Sequence, residues 1–221
     1  MSQDTLKTFR LLIPGIIAVL IGYYYLTILT GKDFNQLDFK DFSYPLLAAV
    51  CIGTFFYLSD IRFLITNYSH KKIDLNIKNH IIKLYTKPIS DKDKQFLFQK
   101  NRLKDIFYNI VDNDESLKNK AKNVYFNGLI WTSTADLMII SLFSAIIFLI
   151  SAFIFKSSKN ELIEGCFLLI IISLISIALH YLSVLKHINL SNEQIGYIET
   201  HKLTQVDSLV SKVLEQNNES V

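Results

Sequence analysis

Proline and glycine are scarce in this chain, at 3 and 7 among 221 residues. So few chain breakers exclude a collagen-like or loop-rich fold. There are 2 cysteines, Cys51 and Cys166, and both lie inside apolar runs, so a disulfide framework is excluded too. Charge is also thin. Charged residues make up 19% of the chain, where a soluble domain carries about 25%. The low hydrophobicity and high net charge of disordered chains are both missing, since 50% of the residues are hydrophobic and the formal net charge is +3. What is plentiful is apolar sequence, more than a soluble core of this length requires.

That apolar sequence is gathered into four stretches, Leu11 to about Leu29, Pro45 to about Ile65, Leu137 to Phe155 and Cys166 to about Leu185. Each meets the length of a membrane helix, about 20 mainly apolar residues. Strands are excluded because the runs show neither alternation nor turn signals. The first stretch is too long for the roughly 7–15 apolar residues of a signal peptide. Tyr23, Tyr24 and Tyr25 also stand where small cleavage-site residues would be needed. The expected fold class is all-α, a polytopic membrane protein with four transmembrane helices and a helical cytoplasmic insertion between the second and third spans.

The lysines set the expected orientation. Lys71, Lys72, Lys78, Lys83, Lys87, Lys92, Lys94, Lys100, Arg102, Lys104, Lys118, Lys120 and Lys122 all lie between the second and third spans. The short loops Gly31 to Tyr44 and Lys156 to Gly165 carry only Lys32, Lys40, Lys156 and Lys159. Basic residues are retained in the cytoplasm, so the middle segment and both termini are expected there. Lys7, Arg10 and Lys186 agree. No basic–aromatic stripe accompanies the charge, so no nucleic-acid partner is expected. Trp131 and Tyr125 before the third span, and Phe42 and Tyr44 before the second, suit headgroup anchoring.

The middle segment alternates between polar residues and spaced apolar ones. Ile73, Leu75, Ile77, Ile81, Ile82 and Leu84 predict a short helix, with a hairpin as the alternative, ended by Lys87-Pro88. Ser90 is a candidate N-cap, with Asp91 and Asp93 in the first turn. Phe96, Leu97, Leu103, Ile106, Phe107, Ile110 and Val111 form one stripe, and Phe96, Leu103, Phe107 and Ile110 are candidates for docking a partner. Asp112-Asn113-Asp114 ends that helix or starts the next. Ser191 with Glu193 is expected to open a tail helix whose stripe is Val206, Leu209, Val210, Val213 and Leu214. Such a tail would return to the middle segment or pair with its copy in another subunit. The expected division is 1–66 and 134–187 as two membrane hairpins, 67–133 as the cytoplasmic insertion and 188–221 as the amphipathic tail.

Enzyme signatures are missing. No zinc-protease motif, nucleophile elbow or phosphate-binding glycine loop is present. The five histidines lack metal-ligand spacing, and Asp112 to Glu115 lacks the glycine and distal glutamate of a calcium loop. No metal, cofactor or catalytic residue is expected. The polar residues at membrane depth are Arg10, Asp60, Arg62, Asp136 and His180, all expected in one layer near the cytoplasmic leaflet. Charges in a span are costly and tend to pair or to line water. The layer is therefore a ring of structural ion pairs such as Arg62 with Asp136, a polar vestibule with His180 titrating, or a set of side chains snorkelling to the headgroups. Gly15 after Pro14, and Gly22, Ala48, Ala49 and Gly53, are small residues that let membrane helices approach closely, within one chain or between copies.

The segments Phe9-Arg10-Leu11-Leu12-Ile13-Pro14-Gly15 and Asn127-Gly128-Leu129-Ile130-Trp131-Thr132-Ser133-Thr134-Ala135-Asp136, within this four-span layout, resemble the small membrane effectors of bacterial anti-phage systems. The resemblance implies an oligomer that permeabilises or depolarises the bacterial inner membrane. Lys-, Asn- and Ile-rich usage agrees with an AT-rich bacterial genome. The expected function is a non-enzymatic, oligomeric effector or channel-like protein that responds to a cytoplasmic protein or small-molecule signal. The alternatives are a membrane-anchored scaffold for a soluble partner and an intramembrane lipid enzyme using Asp60, Asp136 and His180.

Overall fold

Long apolar runs leave the backbone no water to bond with, so each run must satisfy its own N–H and C=O groups, and a helix does so. A computed structural model of the chain describes residues 3–31 and 43–219. Every regular element among them is helical: α1 (Gln3–Thr30), α2 (Ser43–Leu58), α3 (Phe63–Leu84), α4 (Asp91–Phe98), α5 (Arg102–Asp112), α6 (Glu115–Ile154), α7 (Lys159–His201) and α8 (Leu203–Glu219). A single 3₁₀ turn, Lys156–Ser158, joins α6 to α7. Helices α1, α6 and α7 are long and apolar enough to cross a membrane, and α2 with α3, bent by 53° at a short break, makes a further span if the two are one. Residues 32–42 of the first short loop, with Lys32, Lys40 and Phe42, lie outside the described residues.

Four expectations about helix limits are corrected. The second apolar stretch is not one continuous helix to Ile65. It stops at Leu58, and Asp60 takes a left-handed φ of 52° before α3 starts at Phe63. Ser59 and Asp60 are of residue types that favour turns over helix interiors. The short helix expected from Ile73 is the second half of a longer one, α3. The single stripe from Phe96 to Val111 is two helices, because Lys100 turns the chain with φ 54°. Lys78 Nζ holds that turn, donating to the carbonyls of Phe98 and Lys100 at 3.0 and 2.8 Å. Ser191 opens no helix: it sits inside α7, where its hydroxyl bonds back to the carbonyl of His187 at 3.0 Å. The expected N-cap at Ser90 is present, its Oγ accepting from the Asp93 N–H at 3.1 Å.

The chain forms two compact units, Met1–Thr66 with Gly128–Ser183, and Asn67–Asn127 with Val184–Val221. Helices α3, α6 and α7 each run unbroken past the residue at which one unit gives way to the other.

The first unit is apolar outside, and its interior mixes small and polar residues with large apolar ones. On α6, Ala135, Met138, Ser141, Ala145, Phe148 and Ala152 are buried at three- and four-residue spacing. On α7 the matching stripe is Leu162, Cys166, Leu169, Ser173, Ser176 and His180. Their outward faces carry large apolar side chains, Phe153 at 74% and Phe167 at 62% exposure among them. Apolar surface of that kind suits a lipid environment, and serines turned inward suit helix association there. Tyr24 and Tyr25 of α1 clasp Phe148, with ring centroids 5.7 and 5.1 Å away, and the Tyr25 hydroxyl meets Ser151 Oγ at 2.6 Å. Helices α1 and α2 touch backbone to backbone. A Cβ at Gly15 would overlap the carbonyl of Ala49, and a Cβ at Gly53 the carbonyl of Leu11, whereas Gly22 faces open space.

The second unit has an ordinary aliphatic core. Ile73, Ile77 and Ile81 of α3, Leu97 of α4, Leu117 and Ala121 of α6, Ile195 and Ile198 of α7, and Val206 and Val210 of α8 are buried. The tail thus returns to the middle segment, α8 packing on α5. Ser211 meets Tyr85 and Lys87 there, and the Asp207 carboxylate accepts from the Thr86 hydroxyl at 2.6 Å and the Thr86 N–H at 2.9 Å. These bonds, the hydroxyl's first, hold Asp207 below the usual carboxylate range. Asp114 is held down likewise, by Lys202 at 2.9 Å and then by the Leu117 N–H. A depressed carboxylate stabilises the fold above its unfolded pKa, about 3.9, and that contribution disappears as pH falls through the lower folded value. Hydrogen exchange of the α8 amides, corrected for the intrinsic pH dependence of exchange, should therefore be unchanged from neutral pH to about pH 5, then speed up below about pH 4. Asp207→Asn should exchange faster than the wild type at pH 7 and converge with it in acid.

Candidate functional site

Pro14 lies inside α1. It has no N–H, so the carbonyl four residues earlier, that of Arg10, loses its helical partner. The structure supplies a substitute from elsewhere in the chain: Arg62 Nη2 donates to the Arg10 carbonyl at 2.9 Å. The same guanidinium grips Asp136 of α6 with two bonds, Nε to Oδ1 at 2.8 Å and Nη2 to Oδ2 at 2.6 Å. The Asp136 side chain is 1% exposed and that of Arg62 14%. One cation therefore joins three parts of the first unit: α1 at its proline, the break after α2, and α6. The break is what makes this possible. It lifts Arg62 out of a regular helix, and Thr66 Oγ1 then closes on the Arg62 carbonyl at 3.1 Å as α3 begins.

The five expected layer residues thus divide. Arg62 and Asp136 come together as an ion pair, and Arg10 joins them through its backbone. Asp60 is exposed and contributes the left-handed turn. His180 belongs to a different group. Trp131 Nε1–H donates to His180 Nε2 at 3.3 Å, while His180 Nδ1 faces the Trp131 carbonyl at 3.2 Å and Thr134 Oγ1 at 3.4 Å. Nε2 is an acceptor here, so the hydrogen sits on Nδ1 and points to the Trp131 carbonyl. Both nitrogens are occupied in fastening α7 to α6. Trp131 is buried in this group. A buried indole N–H needs an acceptor, and His180 provides it. Ser141 Oγ, fully buried on α6, has no hydrogen-bond partner among the described residues.

Of the four expected docking residues, Leu103, Phe107 and Ile110 are buried in the core of the second unit, leaving no face for a partner to occupy. The unit needs them itself, because the one-sided helices pack on each other. Phe96 stays half-buried under Arg102, whose guanidinium lies 3.6 Å from the ring centroid. Among the described residues, no group of three or more His, Cys, Asp or Glu could hold a metal. The calcium-like run is a helix start: Asp114 Oδ1 accepts from the Leu117 N–H at 3.0 Å.

Compared with known families, curated proteins and solved structures, the chain matches none. Its chemistry has to be read from its geometry. A buried bidentate ion pair holding a proline-opened helix is a fastening, with two alternatives for each partner: bonded, or costly to expose. The carbonyl of Arg10 is the part that sequence reasoning missed. Pro14 was the signal, because it names the residue whose carbonyl goes unpaired.

Proposed function

We propose that this protein is a non-enzymatic membrane effector with four spans, α2 and the start of α3 together forming the second. The Lys-rich unit and both termini lie in the cytoplasm of a bacterial inner membrane. A signal received there shifts packing among the spans and makes the membrane leak, with copies assembling side by side. The observation that carries this reading is the triple grip of Arg62 on Asp136 and the Arg10 carbonyl. It ties α1 to α6 at the point where α2 gives way to α3, and α3 and α6 both continue into the Lys-rich unit. Movement of those helices therefore bears on the contact that fastens α1 at its proline. The lysine bias supports the orientation, and the large apolar side chains exposed on α6 and α7 leave a surface on which copies can associate.

Vesicles carrying the purified protein, loaded with a self-quenching dye, test the reading directly. Dye release that requires both the protein and cytoplasmic extract added on the side of the Lys-rich unit is the expected result. A uniformly tight membrane under all conditions contradicts it.

A further inference from the structure

In the Lys-rich unit, a groove of about 550 Å³ opens beside α5 and α8. Its size falls within the roughly 300–1,000 Å³ of small-molecule sites. Phe96, Ile106, Leu209 and Val213 give it an apolar lining, and the polar groups around them are Arg102, Asp105, Asn109, Lys212 and Gln216. At the groove, the side chains of Asp105, Asn109 and Lys212 make no hydrogen bond or ion pair among the described residues. A few convergent polar groups over an apolar floor are the anatomy of a ligand site.

The residue types define the ligand. Arg102 lies over the Phe96 ring, its Cζ 3.6 Å from the centroid, and is anchored there by Nη1 donating to the Phe96 carbonyl at 2.7 Å. A planar guanidinium at the edge of a groove is a group on which a planar ring can stack. Lys212, on the opposite helix, is a point charge suited to a phosphate. Asp105 accepts a hydrogen bond and Asn109 both accepts and donates, so together they suit ring-edge amines or hydroxyls. We propose that this groove binds a heteroaromatic organic phosphate of about mononucleotide size, its ring on Arg102 and its phosphate on Lys212. As the input of the effector the groove rests on the function proposed above. As a binding site it does not.

Full-length protein in neutral detergent, titrated with adenosine 5′-monophosphate and with flavin mononucleotide, provides the test. Saturable binding of at least one probe is expected, with adenosine and inorganic phosphate each binding more weakly. Lys212→Gln should weaken the phosphate-bearing probe roughly tenfold, as loss of a charge-assisted bond does, and leave adenosine unchanged. Val213→Trp, which fills the groove, should abolish binding with the melting temperature retained. No saturable binding of either probe at millimolar concentration overturns the proposal, and so does binding that both variants leave intact. Vesicle leak that fails while binding survives removes the effector reading and leaves the site.

Discussion

Gly15→Leu and Gly53→Leu should each unseat α1 from α2, while Gly22→Leu, on the same α1, should change nothing. At Gly15 and Gly53 any side chain enters the space of a backbone carbonyl on the facing helix, and a backbone cannot step aside as a rotamer can. Overpacking by small increments costs about 1–3 kcal/mol, so even alanine should be felt at either position. Leucine should be worse. At Gly22 nothing lies within 4 Å of the place a Cβ would take, which makes it the internal control. Melting temperature in one detergent, for the wild type and the three leucine variants, checks the pattern. Equal losses at all three positions would mean that α1 and α2 do not pack through these glycines.

The second large effect is at the Arg62 grip. Removing one member of a buried pair leaves the other charged and poorly solvated, at a cost on the order of 3–5 kcal/mol. Arg62→Leu and Asp136→Leu should each lower stability by about that amount, and the double variant should recover much of the loss. Recovery should be incomplete in one respect. Arg62→Leu also orphans the Arg10 carbonyl, and an unpaired buried acceptor costs about 1–3 kcal/mol. Pro14→Ala restores an N–H for that carbonyl and should soften Arg62→Leu without softening Asp136→Leu. Strictly additive losses in the double variant would show that the two residues are not partners.

Much of this architecture was legible in the sequence because the bilayer imposes length and composition on anything that crosses it. Long runs such as Leu137 to Phe155 admit no element but a helix. The Ser90 cap and the stop before Pro88 were legible because their causes are local. The left-handed turns at Asp60 and Lys100 were not. Each depends on what waits beyond it, Arg62 reaching Asp136 in one case and Lys78 reaching two carbonyls in the other. The docking stripe misled for a related reason. Leu103, Phe107 and Ile110 mark a face that must be covered, and spacing alone does not say that α8 and its neighbours cover it. At the polar layer, residue type showed that Arg62 and Asp136 could pair. Only the fold separated them from Asp60 and His180.

The most direct measurement is ion flux through vesicles that carry equal amounts of wild type, Arg62→Leu, and Arg62→Leu with Asp136→Leu, all without extract. If the grip holds the spans closed until a signal arrives, both variants should leak where the wild type is tight, even though the double variant recovers much of its stability. Flux that is the same in all three, with the proteins folded and inserted, would contradict the idea that this contact controls the membrane.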